Sequence, residues 1–306
     1  MEITWLLSKR QALLIDLSKL LYGSIEIREK CGKKYVYVHY REDGIKQTKY
    51  AGAYSEELHN LIISNSIKAK TIKKELRAIN KRLSDTGYKP IELPLDVQKN
   101  IDFARRHLAD TIYKQAVLEG IATTFADTET IIEGGKVHNM KAEDVLKLLN
   151  LKHAWEFVLN EGVVQTESSF AILSQINKFV LEGFYYNAGE IRTTPVSIGG
   201  TLWKPPLPIE SELKDQLKEI LNSRLRVVDK AIEILLFVMK KQIFIDGNKR
   251  SAVVFANHFL IQNAGGLIVI PDTRIDQYKT HLLEYYEGKD LKTIKQFLKD
   301  FAYKKY

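Results

Sequence analysis

Asp246, Gly247, Asn248, Lys249 and Arg250 place an acid, a glycine, an amide and two cations in five consecutive residues between two apolar helical runs. Gly247 permits a sharp turn and a close approach of ligand to backbone. A helix that starts at Asn248 turns its free N–H groups and the positive end of its dipole into that turn, which favours an anion. Lys249 and Arg250 add charge there, and Arg250 can grip a phosphate through two parallel bonds. Asp246 is a poor phosphate ligand but a good oxygen ligand for Mg²⁺ riding on a di- or triphosphate. The same spacing also fits a plain helix–helix turn, with Asp246 as a cap and the cations in water.

The loop needs helices on both sides, and the sequence supplies them. From about residue 97 onward the chain reads as almost wholly helical. Residues 103–126 read as one helix; 141–159 and 168–186 read as two more, the second opened by a serine cap. Segments 210–223, 226–241, 248–265 and 273–288 and a short terminal helix complete the set. Between them, residues 187–208 hold three glycines, four prolines and β-branched residues. A loop or short hairpin of that length is long enough to suspect function.

The first 90 residues are different. Residues 5–21 and 55–86 carry apolar side chains at helical spacing, and three period-two runs lie between them, with Asp43-Gly44 at a tight hairpin turn. Residues 86–94 read as a linker, so the expected organisation is a small α+β region at 1–90 followed by a mainly α domain at 91–306. Residues 1–90 hold 18 Lys and Arg against 10 Asp and Glu, and this accounts for the whole net charge of +8. That balance suits an acidic partner or nucleic acid, or an ordinary solvated helix face. One cysteine, Cys31, excludes an internal disulfide and thiolate metal clusters, which points to the cytoplasm. No apolar run reaches the roughly 18 residues of a membrane span.

Phe244, Asp246, Gly247, Asn248, Lys249 and Arg250, with Asn257 seven residues beyond, resemble the signature loop and following helix of the Fic (Fic/Doc, Fido) family, His-Pro-Phe-x-Asp-Gly-Asn-Gly/Lys-Arg. "TIIEGG" (Thr130–Gly135) resembles the family's inhibitory motif, Ser/Thr-x-x-x-Glu-Gly/Asn, within residues 128–135. "IRTTPVSIGGTLWKPPLP" resembles its β-hairpin flap, near residues 189–208. The resemblance implies a Fic-type helical bundle that transfers AMP from ATP and Mg²⁺ to a Ser, Thr or Tyr hydroxyl of a protein. By position, Asp246 would hold Mg²⁺, and Gly247, Asn248, Lys249 and Arg250 would line the phosphate hole. Asn257 would touch the nucleoside, and Glu133 would be the inhibitory carboxylate paired with Arg250. Thr193, Thr194, Val196 and Ser197 would hold the target segment by strand addition.

One departure dominates. The family's general base aligns with Gln242, and the proline after it with Ile243. An imidazole can take a hydroxyl proton at neutral pH, whereas a glutamine amide only donates and accepts hydrogen bonds. His258 lies too far along the next helix to substitute, and His138 follows the inhibitory segment. Lys249 also occurs in family members that move phosphate, so the transferred group stays open. Three readings follow: a slow transferase restrained by Glu133, a silent nucleotide-binding module, or a nucleic-acid-binding regulator acting through residues 1–90. Oligomeric state is left open.

Overall fold

The computed structural model describes residues 2–18, 20–30, 32–42, 45–88, 93–137 and 140–306. Asp43-Gly44, Cys31, His138 and the middle of the expected linker (89–92) lie outside the described residues. The chain forms two compact units, Met1–Pro90 and Ile91–Tyr306.

In the first unit, α1 (Glu2–Ser18) precedes a meander of β1 (Ser24–Lys30), β2 (Lys33–Glu42) and β3 (Ile45–Ala53), and α2 (Glu56–Asp85) follows. The strands pair antiparallel in the order β1-β2-β3, with a bulge between Val36 and Tyr37. Alternation puts Val36 and Val38 on one sheet face, where they pack on Ile62 and Leu58 of α2. Leu6 and Leu7 of α1 close against Ile79 and Leu83 of α2. Ser55 caps α2 by accepting from the Leu58 N–H.

The second unit is mainly helical. Its elements are α3 (Leu95–Arg106), α4 (Leu108–Leu118), α5 (Phe125–Ile132), α6 (Ala142–Val158), α7 (Glu161–Val164), α8 (Phe170–Val180), α9 (Glu210–Asn222), α10 (Val227–Lys241) and α11 (Asn248–Gln262). Then come β4 (Leu267–Ile268), α12 (Ile275–Tyr286), α13 (Thr293–Phe297) and β5 (Tyr303–Lys304), which pairs with β4. α11 runs through the centre, with Ser251–Ile261 buried on every side, against α10, α8 and α6.

Two expectations change here. Residues 103–126 are not one helix. The chain breaks at His107 and again after Leu118, where Gly120 takes φ 79°. Gly120 N–H bonds to the Val117 carbonyl and Ile121 N–H to the Ala116 carbonyl, a glycine-dependent helix stop. Thr124 then caps α5 by accepting from the Asp127 N–H. The flap, likewise, contains no strand: residues 187–208 are turns and extended backbone. Pro195, Pro205, Pro206 and Pro208 lack the N–H that a ladder needs.

Candidate functional site

The signature loop joins α10 to α11. Its shape is held from inside by Asn248, which is almost fully buried. The Asn248 side chain accepts from the Phe244 N–H at 2.9 Å and donates to the Phe244 carbonyl at 2.8 Å, so one amide closes a four-residue turn. Gly247, at φ 70°, opens α11 with no side-chain cap, and the first intrahelical bond runs from the Ser251 N–H to the Gly247 carbonyl. The amides of Asn248, Lys249 and Arg250 therefore precede the helix's own ladder. A Cβ on Gly247 would stand 3.0 Å from Val180 Cγ1 and 3.2 Å from Asn177 Nδ2.

Asn177 of α8 fixes the loop from outside. Its Nδ2 donates to the Asp246 carbonyl at 3.0 Å and to Ser251 Oγ at 3.1 Å, while its Oδ1 accepts from the Gly189 N–H. Arg192, buried, ties the flap to the loop. Its N–H groups donate to the carbonyls of Gln242 (2.5 Å), Thr194 (2.9 Å) and Pro206 (2.6 Å), and its backbone N–H donates to Ile243. Desolvation lowers the guanidinium pKa, but the carbonyl ring satisfies the cation. Neither residue carries a sequence signal of its role. Asn177 lies on the apolar face of an amphipathic helix, and Arg192 sits between a glycine and a proline-rich run.

Arg250 is 5% exposed and faces two carboxylates: Asp246 Oδ2 at 3.1 Å and Glu119 Oε2 at 3.8 Å. Lys249 Nζ lies 3.8 Å from Glu119 Oε1. The expected partner, Glu133, is elsewhere: it caps α5, its side chain is exposed, and it forms no ion pair with Arg250 among the described residues. The reason is visible in the backbone. Glu133-Gly134-Gly135 ends α5 with the same bonds by which Glu119-Gly120-Ile121 ends α4. Both are glutamates followed by a left-handed glycine, and α4 is the helix whose end meets Arg250. Gln115, one turn earlier in α4, donates to the Arg250 carbonyl at 2.9 Å and accepts from Trp155 Nε1. Glu119, and not Glu133, is therefore the glutamate that meets Arg250.

Asn257 is fully buried; it donates to the Val253 and Ile268 carbonyls and accepts from the Ile268 N–H, so it anchors β4. Gln242 sits at φ 46° and ψ 60°, left-handed. Its Nε2 donates to the Met239 carbonyl at 2.6 Å, and its Oε1 accepts from Asn248 Nδ2 at 3.2 Å. The amide is a strut of the loop. Thr193, Thr194 and Ser197 are exposed and Val196 is half-buried, beside the clamp of Arg192. Trp203 stacks on Tyr286 at 6.0 Å and 10°, so Tyr286 is core and pins the flap.

Buried polar atoms normally find partners. Among the described residues, Arg250 Nε and Nη1, Glu119 Oε1 and Tyr286 OH are buried with no hydrogen-bond partner. Burial pushes the Tyr286 hydroxyl pKa far up, and the nearby Glu119 carboxylate adds to this. The three donors among them, Arg250 Nε and Nη1 and the Tyr286 hydroxyl, beside uncapped helix amides suit a polyanion. Asp246 is exposed at the mouth with Oδ2 bonded by Arg250, and one carboxylate is enough for Mg²⁺, which keeps waters and takes phosphate oxygens. The residues fit ATP with Mg²⁺.

The fold and this loop define a helical domain built around an anion cradle at the start of its central helix. Residues 168–260 match the model of the Fic/DOC family. Among solved structures, the chain is similar to Fic-1 (residues 134–508) from C. elegans, at 18% identity and a TM-score of 0.54, over 80% of this chain and 73% of that one. A Fic domain containing signaling protein from Bacteroides thetaiotaomicron matches at 20% identity and a TM-score of 0.52, over 66% and 80%. A Fic family protein from Desulfovibrio desulfuricans matches at 15% and 0.54, over 71% and 65%. No curated protein matches the sequence. The match to the Fic/DOC family thus covers the signature loop and the helices on either side of it, and the solved structures share the fold.

Proposed function

We propose that the second unit binds ATP with Mg²⁺ in the cradle and that Glu119, competing for Arg250, restrains it. The family's general reaction is transfer of AMP to protein hydroxyls. In that reaction the hydroxyl oxygen attacks the α-phosphorus, the bond to the β-phosphate oxygen breaks, pyrophosphate leaves, and the hydroxyl proton must be taken up. ATP with Mg²⁺ would supply the activated phosphoryl group. Asp246 would hold the metal. The amides of Asn248, Lys249 and Arg250, together with the Arg250 guanidinium, would hold the terminal phosphates. Thr193–Ser197 would receive the target segment.

The observation that carries this reading is the buried Arg250 guanidinium, with Nε and Nη1 unpartnered and a carboxylate on either side. A second reading has its own support. The Gln242 amide is engaged at both ends, so nothing at that position takes the proton. Loss of a general base forfeits about 10²–10⁴ in rate, and binding without turnover is the limiting case.

The test is incubation of wild type, Glu119→Gly, Gln242→His and the double variant with α-labelled ATP and Mg²⁺. Histidine tolerates the left-handed backbone at 242 better than most residues. The expected order of labelling is double variant first and wild type last. ATP binding by all four without label from any assigns the silent reading. No binding by any of them overturns the nucleotide assignment.

A further inference from the structure

The first unit is strongly basic while the second is balanced, 28 Lys and Arg against 28 Asp and Glu over residues 91–306. Its sheet packs on α2 with one face. The pleat sends alternate residues to the other. On that open face the register sets Lys30 opposite Lys33, Arg28 opposite Tyr35, Glu26 opposite Tyr37, and Tyr37 opposite Tyr50. The rings of Tyr37 and Tyr50 lie 5.5 Å apart and those of Tyr35 and Tyr50 6.3 Å apart, all tilted. The Arg28 guanidinium lies 4.4 Å over the Tyr37 ring. Tyr50 is 54% exposed, so a large aromatic stands in solvent at the centre of the cluster.

One carboxylate sits on this face among the described residues, and it is neutralised. Glu26 takes two 2.9 Å bonds from Arg28 and a 2.6 Å contact from His39 Nε2, and Arg28 holds its carboxyl down at about 2. Arg28, Lys30 and Lys33 then frame three tyrosine rings. Along α2, Lys68, Lys70, Lys74, Arg77, Lys81 and Arg82 are exposed and extend the positive field.

We propose that this open sheet face is a stacking platform for single-stranded nucleic acid. Bases stack on the tyrosine rings, and Lys30 and Lys33 lie along the phosphates. Aromatic rings interleaved with cations are the pair of features such binding uses, and base stacking tolerates any sequence because every base has a π-face. Duplex nucleic acid hides its base faces and cannot use the rings. Tyrosine and arginine are common in protein interfaces too, but lysine is depleted there, and Lys30 and Lys33 stand opposite each other beside the rings. The inference uses residues of the first unit alone and is independent of the nucleotide cradle.

The experiment measures fluorescence anisotropy of labelled single strands of about 12 nucleotides, oligo-U and oligo-dT, against the full chain. A duplex of the same length serves as comparison, with salt raised from about 50 to 200 mM. Tyr37→Ala and Tyr50→Ala are each expected to weaken single-strand binding by about 5- to 100-fold. Tyr37→Phe and Tyr50→Phe keep it near wild type, and circular dichroism shows that all four fold. Binding of either single strand, weakened by salt and by loss of a ring, meets the proposal. No binding to either strand at low salt, alanine variants that bind like wild type, or a duplex bound more tightly than both strands would each overturn it. The first of these outcomes would leave the face to a protein partner.

Discussion

Arg250 Nε and Glu119 Oε2 stand 3.8 Å apart at the junction of α11 and the end of α4, nearly buried and too far apart for a hydrogen bond. The pair is therefore a charge contact with spare donors. A buried pair of this kind gains less from mutual attraction than it loses by desolvation unless its remaining protons are satisfied. A phosphate on the cradle would satisfy Nε and Nη1, in competition with Glu119.

Exchange of the two glutamates separates the pair from its sequence look-alike. Glu119→Gln is expected to tighten ATP·Mg²⁺ binding by about 5- to 100-fold, the range of typical coupling between competing ligands. Glu133→Gln, at an exposed cap, is expected to leave both affinity and stability within about 0.5 kcal/mol of wild type. Isothermal calorimetry on the two variants reads this directly. Equal effects, or a larger effect at Glu133, would remove Glu119 from the site.

The two glutamates also show where the sequence was legible. Asp246–Arg250 could be read because a glycine, a helix start and two cations are local signals. The central helix and the three strands could be read because hydrophobic period is local too. Glu119 and Glu133 could not be told apart, because each is followed by a left-handed glycine ending a short helix. Which helix end meets Arg250 depends on how α4 packs against α6 and α11. The surroundings of Asn257 were hidden for a related reason: its spacing from Arg250 is local, whereas β4, a strand that was not foreseen, exchanges two bonds with it and its own helix takes a third. Arg192 was invisible because its partners are backbone carbonyls, which leave no side-chain pattern.

Gln242 tests the strut. Truncation to Ala removes the bonds to Met239 and Asn248 while keeping a Cβ at φ 46°. The expected loss is about 1–3 kcal/mol. Gln242→Gly loses the same bonds but adopts the left-handed conformation freely, so it is expected to be more stable than Gln242→Ala by about 1 kcal/mol. Urea unfolding of the pair measures the difference, and an alanine variant as stable as glycine would mean that the loop has relaxed out of its left-handed shape.

Arg192 tests the clamp. Arg192→Lys keeps the charge but loses the fork that reaches Gln242, Thr194 and Pro206 together. A point charge left with unpaired carbonyls around it is expected to cost about 2–4 kcal/mol. Amide exchange should rise across residues 189–208 and the signature loop at the same time. Faster exchange in the flap alone would show that the loop holds its shape without the clamp.

His258 gives the fold a pH limit. It is fully buried in α11, and its Nε2 meets the Val163 carbonyl at 3.0 Å, so that nitrogen carries the proton. Nδ1 is then the acceptor for the Ser168 hydroxyl at 2.8 Å. Burial brings the imidazole down to about 4 from an ordinary 6.5, partly offset by the Val163 bond. A lowered folded value means that the unfolded chain takes up the proton first. The contribution is fully present above about pH 6.5 and declines as pH falls from there to about 4, by up to ~3 kcal/mol. His258→Gln removes the titration. The difference in unfolding free energy between wild type and His258→Gln should therefore shift against wild type as pH drops from 7 to 4.5. A difference that stays constant over that range would mean that His258 is not held neutral by the fold.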